Sequence, residues 1–353
     1  MSGQEVILGL RNVQRVYSQP VDLLSRLGGA LKGGVKPRSV QAVAGVDLDV
    51  MAGEVIGIVG ESGCGKSTLG RMLTGILPPS AGEIRYRGRP VAQLSGNARR
   101  EYELGVQMIF QDPYSSLNPR MRVIDIIGEG PVVHGMIKSG EKEAYVSQLM
   151  RKVGLDPSYR YRYPHQFSGG QRQRIGVARA LAVKPSVIVC DEAVAALDVS
   201  IQAQVLNLFM QLRKEYSLTY FFISHNLGVV SHLSDRVAIM YLGRIVEIAD
   251  TDTIFSRARH PYTQALIKEL PVLRTDRRQF DTIKGELPSP LNPPSGCPFH
   301  PRCPFVMERC TRERPMLKPV RFDAAAKVSG ASAGLEGIDT GKPHLSACHL
   351  DDT

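Results

Sequence analysis

Three short runs of this sequence carry residues suited to nucleotide chemistry. The first run is Gly60, Glu61, Ser62, Gly63, Cys64, Gly65, Lys66 and Ser67, followed by Thr68. Its glycines let backbone N–H groups turn toward a phosphate, while the lysine reaches the terminal phosphates and the serine hydroxyl binds Mg²⁺. An apolar strand is predicted before this run and a helix after it, which favours a phosphate loop over a chance glycine-rich turn.

A pair of carboxylates, Asp191 and Glu192, follows the apolar run 187–190. A lone pair of this kind at a strand end is more often a solvated turn, but the phosphate loop upstream reverses that expectation. We expect Asp191 to orient a magnesium ion and Glu192 to polarise the water that attacks the γ-phosphate.

The third run, Ser168, Gly169, Gly170 and Gln171, precedes a predicted helix. A serine and two glycines at a helix N-terminus offer free N–H groups to an anion. One chain does not need two such sites for the same γ-phosphate, whereas a head-to-tail dimer does. The sequence therefore predicts that each ATP lies between the phosphate loop of one subunit and the Ser-Gly-Gly turn of the other.

The elements that must position these runs alternate between strands and helices. β structure is predicted over residues 1–60, further buried strands over 187–190 and 219–223, helices over 67–77, 142–153 and 201–215, and a helix from 168. This alternation predicts an α/β core with a largely parallel sheet. The glycine-rich residues 18–39 are expected to form a long loop or hairpin insertion, and residues 112–185 a helical subdomain.

The bulk composition is that of a globular protein, with 43% hydrophobic and 22% charged residues. No apolar run approaches the ~18 residues of a membrane helix, and the N-terminus lacks a secretory signal, so we expect a cytosolic chain. The net charge of +10 suits either nucleic-acid binding or a basic surface near phosphates and lipid headgroups. The pairs Arg99-Arg100 and Arg277-Arg278 are too short for a nucleic-acid-binding arm, which favours a basic surface near phosphates and lipid headgroups.

With these motifs in this order, residues 6–270 resemble the ABC transporter ATPases. The resemblance implies a P-loop fold with a RecA-like core, an antiparallel β subdomain and a helical subdomain. It implies that Gln111 is the Q-loop glutamine, which senses the γ-phosphate and Mg²⁺, and that His225 is the switch histidine. Asp198 falls in the D-loop run 196–198, and Tyr17 is a candidate to stack on adenine, with a packed core tyrosine as the alternative.

Two residues depart from the family pattern. Ala193 and Ala195 stand where the family usually has a proline and a serine. Neither departure removes a charged participant, so we expect ATP hydrolysis to persist, with a possible effect on D-loop geometry and coupling. A regulatory subunit that binds ATP without turnover is disfavoured because Lys66, Glu192, Gln111 and His225 are all present.

The segments around the motifs are more specific than the motifs themselves. Residues 111–121, 163–168, 197–204 and 260–266 resemble the oligopeptide/dipeptide/nickel importer ATPases, and the N-terminal insertion resembles their "F" type. This implies a peptide importer with a second ATPase subunit, two integral-membrane permease subunits and an extracytoplasmic substrate-binding protein. It also implies a peripheral position at the cytoplasmic face of the cell membrane. The competing hypothesis is a soluble ABC ATPase acting on nucleic acid or ribosomes.

A third group of residues lies in the C-terminal segment. Cys297, Cys303 and Cys310 have the spacing Cys-x5-Cys-x6-Cys, and Cys348 follows after a long gap. Residues 276–353 are expected to form a small extension beyond a nucleotide-binding domain at 1–275. Because such a proline-rich segment buries little core of its own, the four thiols predict a metal staple. Their spacing leaves zinc open, whereas the family resemblance implies a 4Fe–4S cluster.

Overall fold

The protein is described by a computed structural model over residues 5–18, 39–112, 114–195, 197–270, 285–320 and 343–352. Two β-sheets, of four and eight strands, form its framework, with the helices packed around the larger sheet. The insertion predicted over 18–39 lies outside the described residues, except for the two serines that end it.

The smaller sheet is antiparallel and has the strand order β2-β1-β4-β5. Its strands are β1 Val6–Ser18, β2 Ser39–Met51, β4 Ala81–Tyr86 and β5 Arg89–Pro90. Apolar residues on one face, such as Leu8 and Leu10 on β1 and Val50 on β2, are fully buried. They form one core cluster with Ile56, Ile58 and Leu69, so this sheet packs directly over the phosphate loop and its flanking elements.

The larger sheet has the order β11-β12-β10-β9-β3-β8-β7-β6. Its strands are β3 Val55–Val59, β6 Val106–Ile109, β7 Val187–Asp191, β8 Thr219–Ser224, β9 Arg236–Tyr241, β10 Arg244–Asp250, β11 Lys318–Pro319 and β12 Leu345–Ser346. The strands from β9 to β6 run parallel, whereas β10, β11 and β12 add an antiparallel edge. Strands β3, β7, β8 and β9 are buried throughout, as expected where helices cover both faces of a parallel sheet.

Helices follow most of the parallel strands. They are α1 Lys66–Leu73, α2 Gly96–Gly105, α3 Val123–Val133, α4 Lys142–Lys152, α5 Gly169–Ala182, α6 Val199–Tyr216, α7 Leu227–Leu233, α8 Thr251–Arg257, α9 Pro261–Lys268 and α10 Glu308–Arg312. The predicted α/β architecture is confirmed. Helix α1 ends four residues before its predicted end because Gly75 takes a left-handed conformation, with φ of 72°. In the described parts of the chain, no helix combines the length and apolarity needed to span a bilayer.

The C-terminal extension shares the core of the rest of the chain. Strand β12 pairs with β10, where Ser346 lies opposite Glu247. Phe299 is 1% exposed and joins the main apolar cluster together with Cys297 and Cys310. The fully buried Glu247 accepts a 2.7 Å hydrogen bond from Nε2 of His344, so a polar contact also ties the extension to the sheet. The predicted domain boundary near residue 275 lies outside the described residues and stays a prediction.

Candidate functional site

The predicted nucleotide residues gather at one edge of the larger sheet. The phosphate loop follows β3, Gln111 follows β6 after one residue, Asp191 and Glu192 end β7, and His225 follows β8. These four strands are parallel neighbours, so their carboxyl ends meet at this edge. Ligands of open parallel sheets bind at this edge.

The phosphate loop is packed closely against the backbone of neighbouring strands. Gly63 and Gly65 have φ values of 81° and 104°, a region that favours glycine. A Cβ atom added at Gly60 would lie 2.1 Å from the carbonyl oxygen of Met240, and one at Gly65 would lie 2.1 Å from that of Ala42. Gly60 is therefore required by space, Gly63 by backbone conformation, and Gly65 by both.

Lys66 closes the loop on itself. Its side chain is buried, and its Nζ donates hydrogen bonds to the carbonyl oxygens of Gly60 at 2.7 Å and Glu61 at 2.9 Å. These bonds hold the ammonium group of Lys66 against the first two residues of the loop. A cation held there, beside the N-terminus of α1, suits the terminal phosphates of a nucleotide.

Two of the three residues predicted to bind or sense Mg²⁺, Ser67 and Asp191, touch each other, whereas Gln111 contacts Glu192. Ser67 Oγ donates a 2.7 Å hydrogen bond to Oδ1 of Asp191, which is 3% exposed. Burial raises the pKa of the Asp191 carboxyl, and the bond from Ser67 opposes that shift. A hydroxyl and a carboxylate form the hard oxygen donor set that Mg²⁺ prefers, and a cation would offset the cost of burying the carboxylate. Thr68 lies next in α1 and is half-buried.

Three residues predicted to act in hydrolysis converge on one carboxylate. Oε2 of Glu192 accepts a 2.8 Å hydrogen bond from Nε2 of Gln111 and lies 3.3 Å from Nδ1 of His225. The Glu192 side chain is 11% exposed, whereas that of His225 is 52% exposed. Glu192 also has a φ of 46°, a strained value for a residue other than glycine. Its N–H donates to the carbonyl oxygen of Ile223 at 3.0 Å, which holds the backbone at this position.

The Ser-Gly-Gly turn lies apart from this cluster. Ser168 caps α5, and its Oγ accepts from the N–H of Gln171 while Oε1 of Gln171 accepts from the N–H of Ser168. Ser168 is exposed, and no hydrogen bond links residues 168–171 with the phosphate loop, all of which are described. Gly170 packs against Ile201 of α6, where a Cβ would lie 2.5 Å from Cγ2 of Ile201.

The remaining predicted residues occupy the periphery. Asp198 is exposed at the start of α6 and makes no capping bond, while Ala196 of the same D-loop lies outside the described residues. Tyr17 is 41% exposed on β1, and the Arg15 guanidinium lies 4.9 Å from its ring centroid. This exposure excludes a packed core role for Tyr17, whereas stacking on adenine stays a prediction.

Contacts of α5 with the loop after Gln111 were not predicted from the sequence. The guanidinium of Arg172 lies 3.7 Å from the ring centroid of Tyr114, and Nη1 of Arg179 donates a 2.6 Å hydrogen bond to the carbonyl oxygen of Ser116. Both arginines belong to the helix that begins at the Ser-Gly-Gly turn. Helix α5 thus joins the Ser-Gly-Gly turn to the Q-loop, a link that the separate motifs do not predict.

The predicted metal staple, as a 4Fe–4S cluster or as zinc, is wrong. Cys297, Cys303, Cys310 and Cys348 line one small pocket, but no three His, Cys, Asp or Glu side chains in the described ranges are placed to hold a metal ion. Burial raises the pKa of Cys297 to about 11 and that of Cys348 to about 12, which disfavours the thiolate form that binds a metal. The cysteines instead pack as small apolar side chains.

Two neighbouring histidines, which could in principle replace a cysteine as a metal ligand, are engaged with backbone carbonyls. His300 Nδ1 lies 3.0 Å from the carbonyl oxygen of Cys297, and His349 Nε2 lies 3.0 Å from that of Glu313. The two remaining cysteines, Cys64 and Cys190, are buried within the nucleotide motifs. Burial raises the pKa of both thiols, as for small side chains packed in a core.

Comparison with known proteins agrees with this geometry. Residues 43–195 match the ABC transporter family, and residues 246–310 match the family described as oligopeptide/dipeptide transporter, C-terminal region. The solved structure of cbiO1 from Clostridium perfringens, part of the ABC transporter complex cbiONQ, has a TM-score of 0.58 and 24% identity. The structural match covers 72% of this chain and 92% of the cbiO1 chain. The predicted ABC ATPase fold is thereby confirmed.

Two relatives extend the likeness along almost the whole sequence. The oligopeptide transport ATP-binding protein AppF of Bacillus subtilis is 47% identical over 353 residues, covering 99% of this chain and 98% of that protein. The di/tripeptide transport ATP-binding protein DppF of Pseudomonas aeruginosa is 47% identical over 89% of this chain and 94% of that protein. A likeness of this extent shows the family: the chain belongs to the ABC transporter ATP-binding proteins and is an ATP-hydrolysing transporter subunit.

Proposed function

We propose that this chain powers the import of peptides through membrane permease subunits by binding and hydrolysing ATP. One observation carries the proposal: the likeness to oligopeptide and di/tripeptide transport ATP-binding proteins spans both the nucleotide motifs and the C-terminal region. An ABC ATPase of another kind would match the ABC transporter family over residues 43–195 but would lack the match to the oligopeptide/dipeptide transporter C-terminal region. The chain does not itself contact the cargo in this arrangement, so the choice among peptides belongs to its partners.

The phosphate loop and β7 supply the groups that bind the nucleotide. Lys66 and the N–H groups of residues 60–68 hold the terminal phosphates, and Ser67 and Asp191 hold Mg²⁺, which when bound balances charge on the phosphates. The short bond between these two side chains supports their joint role.

Glu192 is the proposed general base of hydrolysis. Its carboxylate accepts the proton of the attacking water, while Gln111 and His225 orient it and sense the γ-phosphate. The convergence of both side chains on Oε2 of Glu192 supports this division of roles. Because His225 is exposed, its ring is accessible to a bound phosphate.

The active form is proposed to be a head-to-tail dimer. Ser168 and the N–H groups of residues 169–171 complete the ATP site of a second subunit, which is a copy or a paralogue of this chain. The exposure of Ser168, and its lack of hydrogen bonds to its own phosphate loop, support an action in trans. Asp198, next to this turn, lies on the same proposed interface.

The loop after Gln111 is proposed to contact two integral-membrane permease subunits at the cytoplasmic face of the membrane. Tyr114 is 65% exposed at this loop and is held by Arg172 of α5, so movement of the Ser-Gly-Gly turn would be passed to it. An extracytoplasmic binding protein would deliver the peptide. Residues 276–353 form the extension that accompanies this class of transporter subunit.

Affinity purification of the tagged chain from its native membranes tests the proposal. We expect integral-membrane permease subunits in stoichiometric amounts, and we expect a strain lacking the chain to lose peptide uptake that the wild-type gene restores. Recovery with ribosomes or nucleic acid would support the competing soluble ATPase and contradict peptide import. The comparisons do not favour that alternative.

A further inference from the structure

The second residue of the phosphate loop, Glu61, is held at each of its polar groups. Its N–H donates a 2.9 Å hydrogen bond to the hydroxyl of Tyr262, and its carbonyl oxygen accepts from Nζ of Lys66. Its carboxylate accepts from Nη1 of Arg302, with distances of 2.9 Å to Oε1 and 3.0 Å to Oε2. Tyr262 and Arg302 lie 201 and 241 residues further along the chain. The C-terminal part therefore holds the loop directly.

The ion pair between Arg302 and Glu61 is shielded from water. The Arg302 side chain is 6% exposed and that of Glu61 is 24% exposed. In contrast, the ion pair Arg312–Glu308 in the same extension has side chains that are 74% and 78% exposed. Shielded charges are screened little by salt and interact strongly, whereas exposed pairs contribute little. The Arg302–Glu61 pair therefore fixes geometry in a way that a surface pair does not.

A cluster of three rings supports both contacts. The rings of Tyr241 and Tyr262 have centroids 4.7 Å apart, and Phe299 lies 5.4 Å from each of them. All three residues are at most 1% exposed. Arg302 lies three residues after Phe299, at the end of a single 3₁₀ turn, and its Nη1 is also 3.4 Å from the Tyr241 hydroxyl. The cluster thus holds Tyr262 and Arg302 together against one loop residue.

We propose that Arg302 is a positioning residue for ATP, through which the C-terminal extension holds the phosphate loop ready for nucleotide. Two effects act together. The ion pair fixes the start of the loop, so less order must be gained when the nucleotide binds. It also neutralises the Glu61 carboxylate, which would otherwise repel the anionic phosphates held by the same loop.

Nucleotide affinity of the full-length chain, measured with fluorescent N-methylanthraniloyl-ATP, tests this inference. Arg302→Met should raise the dissociation constant about five- to tenfold, and Arg302→Lys, which keeps the charge but not the planar guanidinium, should recover part of that loss and stay within about threefold of wild type. Adding Glu61→Gln to Arg302→Met removes the unpaired carboxylate and should recover about half of the loss on a logarithmic scale. In steady-state ATP hydrolysis by the assembled transporter, Arg302→Met should raise KM for ATP and leave kcat within about twofold.

Arg312→Met is the matched control, because it removes an arginine of the same extension that is paired only at the surface; it should bind nucleotide as wild type does. Equal affinity of Arg302→Met and wild type would overturn the inference. A loss that Arg302→Lys and the Glu61→Gln combination both fail to recover would also overturn it, by reducing Arg302 to general packing. The inference rests on nucleotide binding at the phosphate loop, which Lys66→Ala tests separately: unchanged affinity in that variant would contradict the proposed function instead.

Discussion

Replacing Glu192 by glutamine tests the proposed catalytic carboxylate. Glutamine has the same shape, and its side-chain oxygen can still accept the 2.8 Å hydrogen bond from Nε2 of Gln111. The side chain is 11% exposed, so the substitution leaves no cavity and strands no charge. The backbone strain at this residue, with φ of 46°, is also unchanged. We therefore expect the folded structure to persist and the chemistry alone to be affected.

The expected loss follows from removing the proton acceptor. A positioned general base contributes about 10²–10⁴-fold to a rate, which corresponds to about 2.7–5.4 kcal/mol of activation free energy. Glu192→Gln should lower kcat for ATP hydrolysis by about that factor. ATP affinity should be equal or higher, because one negative charge near the phosphates is gone and the phosphate loop is untouched.

The assay is phosphate release by the chain together with its transporter partners, and the dimer is followed by size-exclusion chromatography with ATP. The variant should remain a dimer with ATP for longer than wild type does. Glu101→Gln is a matched control, since Glu101 forms an exposed ion pair with Arg87 that includes none of the cluster residues, and this variant should turn over as wild type. Turnover by Glu192→Gln within about twofold of wild type would refute the role of Glu192.

Three further predictions concern the elements around the site. Arg236→Met removes the buried ion-pair partner of Glu54, which is 1% exposed and also accepts a hydrogen bond from the N–H of Met51. This variant should lower the free energy of unfolding in urea by about 3 kcal/mol, and a loss below about 1 kcal/mol would contradict this. Gly60→Ala places a Cβ 2.1 Å from a carbonyl oxygen of β9 and should abolish ATP binding or folding, so wild-type affinity would refute the packing argument. Burial lowers the pKa of His260 to about 4, so the folded state resists a proton that the unfolded chain takes up near pH 6.5. Stability should therefore fall by up to about 3 kcal/mol as the pH drops from 6.5 toward 4. In His260→Asn the side-chain oxygen can still accept the hydrogen bond from the N–H of Tyr262, and the loss of stability at low pH should be smaller than in wild type. A pH profile of stability equal to that of wild type would contradict this role of His260.

The nucleotide motifs were readable from sequence because their chemistry is local. Glycine spacing, a lysine and a following serine determine a phosphate loop within eight residues. Gly63 and Gly65 have the positive φ values that favour glycine, and Gly60 and Gly65 have no room for a Cβ atom. Strand ends are equally local: the apolar run before Asp191 predicts a buried strand and a carboxylate at its tip. The 2.7 Å hydrogen bond between Ser67 Oγ and Asp191 Oδ1 follows from the parallel strand order, which brings the two strand ends to the same edge of the sheet.

Contacts between distant segments were not readable. No spacing rule links Arg302 to Glu61 across 241 residues, or Arg179 to Ser116 across 63 residues. The wrong prediction of a metal staple has the same origin, because the spacing of cysteines along the sequence does not determine how their side chains are placed and buried in the fold. In the folded chain these thiols line a small apolar pocket together with Phe299 and His260, and burial there raises the pKa of Cys297 and Cys348.

ATP-dependent uptake of a labelled dipeptide into proteoliposomes tests the central claim most directly. The liposomes contain the purified transporter, with its permease subunits and binding protein, and either the wild-type chain or Glu192→Gln. The account predicts accumulation of peptide that requires ATP and Mg²⁺ with the wild-type chain, and uptake reduced at least about 100-fold with the variant. Equal uptake with the two chains, or no peptide uptake by a complex that hydrolyses ATP, would contradict an ATP-driven peptide importer.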